Sequence, residues 1–183
     1  KNPDLVSRFT AIIFDQIVIK ESPNFIKERL TSVGIKVINN VVDISNYLMI
    51  TLGQPINMFD YDKIKDKLMI VRESKKGEKL ITLDEKEITL PGGDVVIEDG
   101  SGNLIDLCGI MGGLNSAITP ETKRVLLFVQ TYNKSKIRKT TMITGQRTIA
   151  ATFFEKGLDE ERVEATTVTA IQLIEKYCAG KIA

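Results

Sequence analysis

Residues 39 to 60 read Asn39-Asn-Val-Val-Asp43-Ile-Ser-Asn-Tyr47-Leu-Met-Ile-Thr-Leu52-Gly53-Gln-Pro55-Ile-Asn57-Met-Phe59-Asp60. Asp43 is a capping residue type, and Ile44, Tyr47, Leu48 and Leu52 recur at helical spacing until Gly53 and Pro55 end the pattern. The stretch therefore reads as a helix and the loop that leaves it. Asn57 falls in that loop, where an asparagine side chain commonly closes a turn. Upstream, Phe9 to Ile19 is rich in β-branched and aromatic residues and reads as a strand. Ser22-Pro23 then opens a helix with a cap and a first-turn proline. Phe25, Ile26, Leu30 and Val33 form its apolar face, and Gly34 is its stop.

Downstream the period changes. Short strands are expected over Leu68 to Arg72, Lys79 to Leu83, Glu87 to Leu90, Asp94 to Glu98, Leu104 to Ile110 and Arg124 to Gln130. Gly77, Pro91-Gly92-Gly93, Gly100 to Gly102 and Gly112-Gly113 punctuate them. A third helix is expected over Lys134 to Thr144. A fourth runs from a cap at Asp159 to Cys178, with Val163, Val168, Ile171 and Ile174 turned inward. The class is α+β: an antiparallel or mixed β-rich body, barrel-like or strongly curved, with about four flanking helices. There is no internal repeat.

The chain has 183 residues, 43% apolar and 27% charged, enough for one domain or two packed lobes without a disulfide or metal staple. No apolar run reaches the length a membrane helix needs. It starts at Lys1 without a charged-then-apolar leader, which reads as a fragment of a longer cytoplasmic chain. Cys108 and Cys178 lack metal-ligand spacing and no histidine accompanies them, so two buried thiols are expected and no metal site. The absence of histidine also excludes Ser-His and Cys-His catalysis. A net charge of +1 gives no global pull on nucleic acid. The local basic concentration is Lys134, Lys136, Arg138, Lys139 and Arg147, and a solvated helix face and a binding surface are both open readings.

An ordered series of motifs runs the length of the chain: Glu28-Arg29-Leu30, Gly34-Ile35, the 39–60 stretch, Gly77-Glu78, and Thr82-Leu83-Asp84. It continues with Cys108-Gly109-Ile110-Met111-Gly112-Gly113, Thr122, Ile137-Arg138-Lys139-Thr140 and Phe154-Glu155-Lys156-Gly157-Leu158-Asp159. The series resembles the B3/B4 editing region of the β subunit of bacterial phenylalanyl-tRNA synthetases. Residues 1–66 correspond to a mostly helical B3-like part, and 67–183 to a B4-like β-rich part with a C-terminal helix. The resemblance implies a parent α2β2 enzyme that charges tRNA(Phe) with phenylalanine using ATP and magnesium, neither held by this fragment. It also implies an α subunit and tRNA(Phe) as partners.

A pocket that accepts phenylalanine rejects an analogue with one added hydroxyl only about a hundredfold. The family therefore hydrolyses tyrosyl-tRNA in a second pocket that reads the phenol. By resemblance that pocket corresponds to Asn57, Gly112, Phe128, Thr148 and Ala150, with Phe59, Gly113 and Gln130 alongside. Gly112, Gly113, Thr148 and Ala150 fit the family pattern. Asn57 stands where the family has histidine, and Phe128 where it has the glutamate that accepts the phenol. Gln130 replaces a small residue, and Thr148-Ile149-Ala150-Ala151 replaces Thr-Asp-Ala-Ser. Asn57 cannot act as a base near neutral pH. Phe128 removes an acceptor and fills volume.

Three functions follow as expectations. The first is an accessory domain of the synthetase whose editing pocket has decayed, with no confident catalytic residue. The second is a surviving ester hydrolase that uses a positioned water, main-chain donors at Gly112 and Gly113, and the tRNA's terminal hydroxyl. The third is a stand-alone hydrolase or RNA-binding module. Gln130 either supplies a substitute amide on the face of Phe128 or closes the pocket. Of the acidic residues tested as paired carboxylates, Glu155 and Asp159 share a face only if a helix runs through Gly157, and Glu155 is expected to pair with Lys156 or Arg147.

Overall fold

The computed structural model describes residues 3–183. In chain order its elements are β1 (Phe9–Asp15), α1 (Asn24–Ser32), α2 (Asn40–Leu52), β2 (Ile56–Asp60), β3 (Met69–Glu73), β4 (Lys79–Ile81), β5 (Glu87–Thr89), β6 (Val95–Asp99), β7 (Leu104–Leu107), β8 (Met111–Gly112), β9 (Val125–Gln130), α3 (Lys134–Thr144), α4 (Ile149–Phe154), α5 (Arg162–Cys178) and β10 (Lys181–Ile182). The α+β class holds, with five helices and open sheets, so no barrel forms among the described residues. Two compact units emerge, each drawn from three chain segments. The first takes Lys1–Phe9, Lys63–Ala117 and Gln130–Glu160; the second takes Thr10–Asp62, Ile118–Val129 and Glu161–Ala183. α1, α2 and α5 thus share the second unit despite their distance in sequence.

The second unit is organised on a sheet of order β10-β1-β9-β2. Ile56 of β2 and Val125, Leu127 and Val129 of β9 face a core completed by Phe14, Ile26, Leu30, Val41, Ile44, Leu48, Val163, Ala170 and Ile174. β1 stops at Asp15, short of the expected Ile19, because Gln16 turns into the left-handed region at φ 61°. The signature helix α2 begins earlier than its spacing suggested. Asn39 is the cap, accepting from the amides of Val41 and Val42 at 3.1 and 3.0 Å. Asp43 is instead buried within the first turn, where it accepts from the Ile38 amide and the Ser22 hydroxyl. Ser22 therefore serves α2, and Pro23 takes the cap position of α1. Asn40 is fully buried and satisfied: its amide donates to the carbonyls of Val18 and Tyr177, and its oxygen accepts from the Lys20 amide. Much of the 39–60 stretch is therefore explained by tying this unit together.

In the first unit β3-β6-β7-β8 form one sheet and β4-β5 an antiparallel ribbon, joined by a bridge between Thr82 and Gly113. The expected strand over Leu104 to Ile110 is broken: β7 ends at Leu107, and Gly109, at φ 69°, turns the chain into β8. The last expected strand of the β-rich stretch is β9, which pairs with β2 in the other sheet. α3 has the predicted span, with Asn133 as its cap and Gly145 as its left-handed stop. It packs against α4, a six-residue helix the periodicity did not reveal. α5 starts at Arg162 and not at Asp159. Its buried stripe is Val163, Thr166, Thr167, Ala170 and Ile174, leaving Val168, expected inside, 50% exposed and out of phase with that stripe.

Candidate functional site

The strand β2 begins just after the left-handed stop at Gly53, so Asn57, expected in a loop, lies in a strand. Antiparallel pairing of β2 with β9 sets Asn57 directly opposite Phe128 and Phe59 opposite Leu126. Alternation puts these four side chains on the sheet face away from Ile56, Val125, Leu127 and Val129. The two most consequential departures from the editing pattern are therefore cross-strand neighbours, with Cβ atoms about 5 Å apart by sheet geometry. Phe128 and Phe59 are 4% and 3% exposed, and Asn57 is half-buried. Thr122 has a structural task at the end of β2. Its hydroxyl donates at 2.7 Å to buried Asp60, which also accepts from the Asp62 amide.

The first unit contains Gly112, Gly113, Gln130, Thr148 and Ala150. Gly112 pairs with Asp106 across β7 and β8, and its carbonyl accepts from the Leu83 amide. The Gly113 N–H donates to the Ile105 carbonyl at 2.8 Å, so one of the two expected main-chain donors is already engaged. A Cβ at Gly113 would lie 2.9 Å from that same carbonyl, which accounts for the glycine without a ligand. Thr148 caps α4, accepting from the Ala151 amide at 3.0 Å and donating to the Ile110 carbonyl at 2.9 Å. Its hydroxyl thus ties α4 to the segment that leads into β8. Ala150 is half-buried on α4.

Asp106, Cys108, Gln130 and Tyr132 form a buried polar cluster in this unit that spacing did not reveal. Burial pushes the Cys108 thiol well up from its ordinary value, and the nearby Asp106 charge adds to the effect. Tyr132 is also pushed well up, by burial first and then by Cys108 and Asp106, while Gln130 acts in the opposite direction. Gln130 is completely buried and its polar surroundings include the chain's own phenol. The one sequence signal for the cluster is the placement of Cys108 and Asp106 on either side of an apolar strand residue, which is too common to be diagnostic.

Glu155 ends α4, Gly157 turns at φ 88° and α5 begins beyond Asp159, so the two carboxylates share no helix. Glu155 makes no ion pair with Lys156 or Arg147 among the described residues, contrary to expectation. Those residues also contain no group of three or more His, Cys, Asp or Glu able to hold a metal, and no helix long and apolar enough to cross a membrane. A cleft of about 490 Å³ opens in the first unit between Glu78–Ile81, Gly102–Leu104 and Leu114–Asn115, and none of the eight candidate residues lines it.

The model of the B3/4 domain matches residues 5–179. The chain is similar to phenylalanine–tRNA ligase β subunits from Dehalococcoides mccartyi (42% identical over the whole chain), Aquifex aeolicus (42% over 96% of it) and Thermotoga maritima (38% over 96%). It spans 22% of the length of each. An N-terminal fragment of the phenylalanyl-tRNA synthetase β subunit from Pyrococcus horikoshii shares the fold, with a TM-score of 0.63 and 16% identity over 98% of this chain and 47% of that one.

Proposed function

The chain belongs to the B3/4 domain family, represented among its relatives by β subunits of phenylalanine–tRNA ligase, and from that membership we propose that it is a segment of such a subunit whose ester-hydrolysing site is degenerate. The parent enzyme ligates phenylalanine to tRNA(Phe) in the cytoplasm, with an α subunit as partner and with ATP and magnesium bound outside this segment. The observation that carries the degenerate reading is the pairing of Asn57 with Phe128 across β2 and β9.

Selecting tyrosine over phenylalanine needs a buried acceptor for the phenol, since a buried hydroxyl without one costs about 1–3 kcal/mol. Phe128 offers a ring there, and Asn57 opposite it lacks a base near neutral pH. In the first unit, the Thr148 hydroxyl both donates and accepts within the fold, and the Gly113 N–H is engaged by Ile105. These groups hold the fold together and are poorly placed to serve a substrate as well.

The test is release of tyrosine from Tyr-tRNA(Phe) by the full α and β subunits, beside the Thermotoga maritima relative and an enzyme-free control. Release at the spontaneous rate is the expected result. Rapid, tyrosine-selective release would overturn the degenerate reading and favour water attack assisted by the tRNA itself. Failure of the enzyme to charge tRNA(Phe) would overturn the assignment to the ligase.

A further inference from the structure

Within the motif Ile137-Arg138-Lys139-Thr140, alternate duties are separated by helix phase. Ile137 and Thr140 are 1% and 2% exposed, and the Thr140 hydroxyl donates to buried Asp94 at 2.6 Å, so this side of α3 is fixed to the first unit. Arg138 and Lys139 point the other way and are exposed, as are Lys134 one turn before and Arg147 at the approach to α4. Lys136 is the exception, held by Glu73 at 2.7 Å. Lys134, Arg138, Lys139 and Arg147 have no ion-pair partner among the described residues.

The surrounding sequence contains no counter-charge. Between Glu121 and Glu155 there is no acidic residue, in a chain whose 25 basic and 24 acidic residues otherwise nearly cancel. Helix stability does not explain the arrangement. Cations in the first turn of a helix oppose its dipole, and α3 has no acid there to offset them. A fixed helix with an unneutralised cationic face beside the next helix is suited to a polyanion with regularly spaced charges.

We propose that the exposed side of α3, with Arg147, binds the phosphodiester backbone of tRNA through Lys134, Arg138, Lys139 and Arg147. This rests on the reading of the chain as part of a tRNA ligase. Arg138 and Arg147 can each span two phosphate oxygens, whereas Lys134 and Lys139 act as point charges. Such contacts set position and affinity and carry no sequence preference.

The experiment uses the α subunit with full-length β carrying Arg138→Gln, Lys139→Gln and Arg147→Gln, and measures the dissociation constant for tRNA(Phe) from low to high salt. Glutamine keeps similar helix propensity, and unfolding by circular dichroism checks the fold. A control triple, Lys36→Gln, Lys75→Gln and Lys76→Gln, removes the same charge elsewhere. The inference expects affinity at low salt to fall on the order of tenfold and the log–log salt slope to become shallower by about 2–3, in the first triple alone. Unchanged affinity and slope, an equal change in the control, or loss of the α subunit from the first triple would each overturn it. Wild-type charging of tRNA(Phe) with an unmoved slope defeats this inference only; absence of charging defeats the reading beneath it.

Discussion

Gly109 shows how closely one residue can be specified. It sits at φ 69°, and a Cβ there would lie 3.1 Å from the rings of Tyr132 and Phe154 and 3.2 Å from Ile137. Gly109→Ala combines left-handed strain with overpacking and is expected to lower stability by about 2–4 kcal/mol in urea unfolding. The thiols supply a second test. Both cysteines are fully buried, and burial pushes Cys178 up to about 12 against an opposing pull from Lys20. A raised value favours the neutral thiol in the fold. The stability this represents is complete below the unfolded value of about 8.5 and is lost as pH rises from there toward about 12. Cys178→Ala should flatten that alkaline decline, measured by urea unfolding at pH 8, 9 and 10, and native wild-type protein should leave both thiols silent to a disulfide reagent at pH 8.

Elements were legible where local chemistry sets both ends. α3 has the span expected of it, Lys134 to Thr144, which in the fold is closed by a side-chain cap at Asn133 and a glycine stop at Gly145. β1 ended early because a glutamine, not a glycine, took the left-handed turn, and no residue type announces that. α4 is shorter than two turns, too short for a period, and its one local sign was the cap Thr148. That cap offers an element-scale test. Thr148→Ala should cost about 0.5–2 kcal/mol by removing both hydroxyl bonds, while Thr148→Ser should restore most of it. Of the candidate site, the motifs gave the residues, but strand register, a long-range property, was needed to pair Asn57 with Phe128.

At the scale of the molecule, the stretch 1–66 cannot complete its own core. Phe14, Ile26, Leu30, Val41, Ile44 and Leu48 pack with Val125, Leu127 and Val129 and with Val163, Ala170 and Ile174. A fragment of residues 1–66 is therefore expected to be unfolded alone, with dispersed amide resonances appearing only when the remainder is present. The ordering of the chain was hidden from sequence for the same reason. Periodicity reports which side of an element is apolar, and says nothing about which distant segment covers it.

The pairing of β1 with β10, Phe14 opposite Ile182 and Asp15 opposite Lys181, has a consequence for biosynthesis. Strand β1 leaves the ribosome well before α5, and the neighbour for its outer edge emerges only after α5. At roughly 5–20 residues per second the nascent α1 and α2 would wait on the order of ten seconds for α5, their apolar sides unshielded. During that interval the growing polypeptide is a natural client for a holding chaperone, and slowing translation between α2 and α5 should increase its capture.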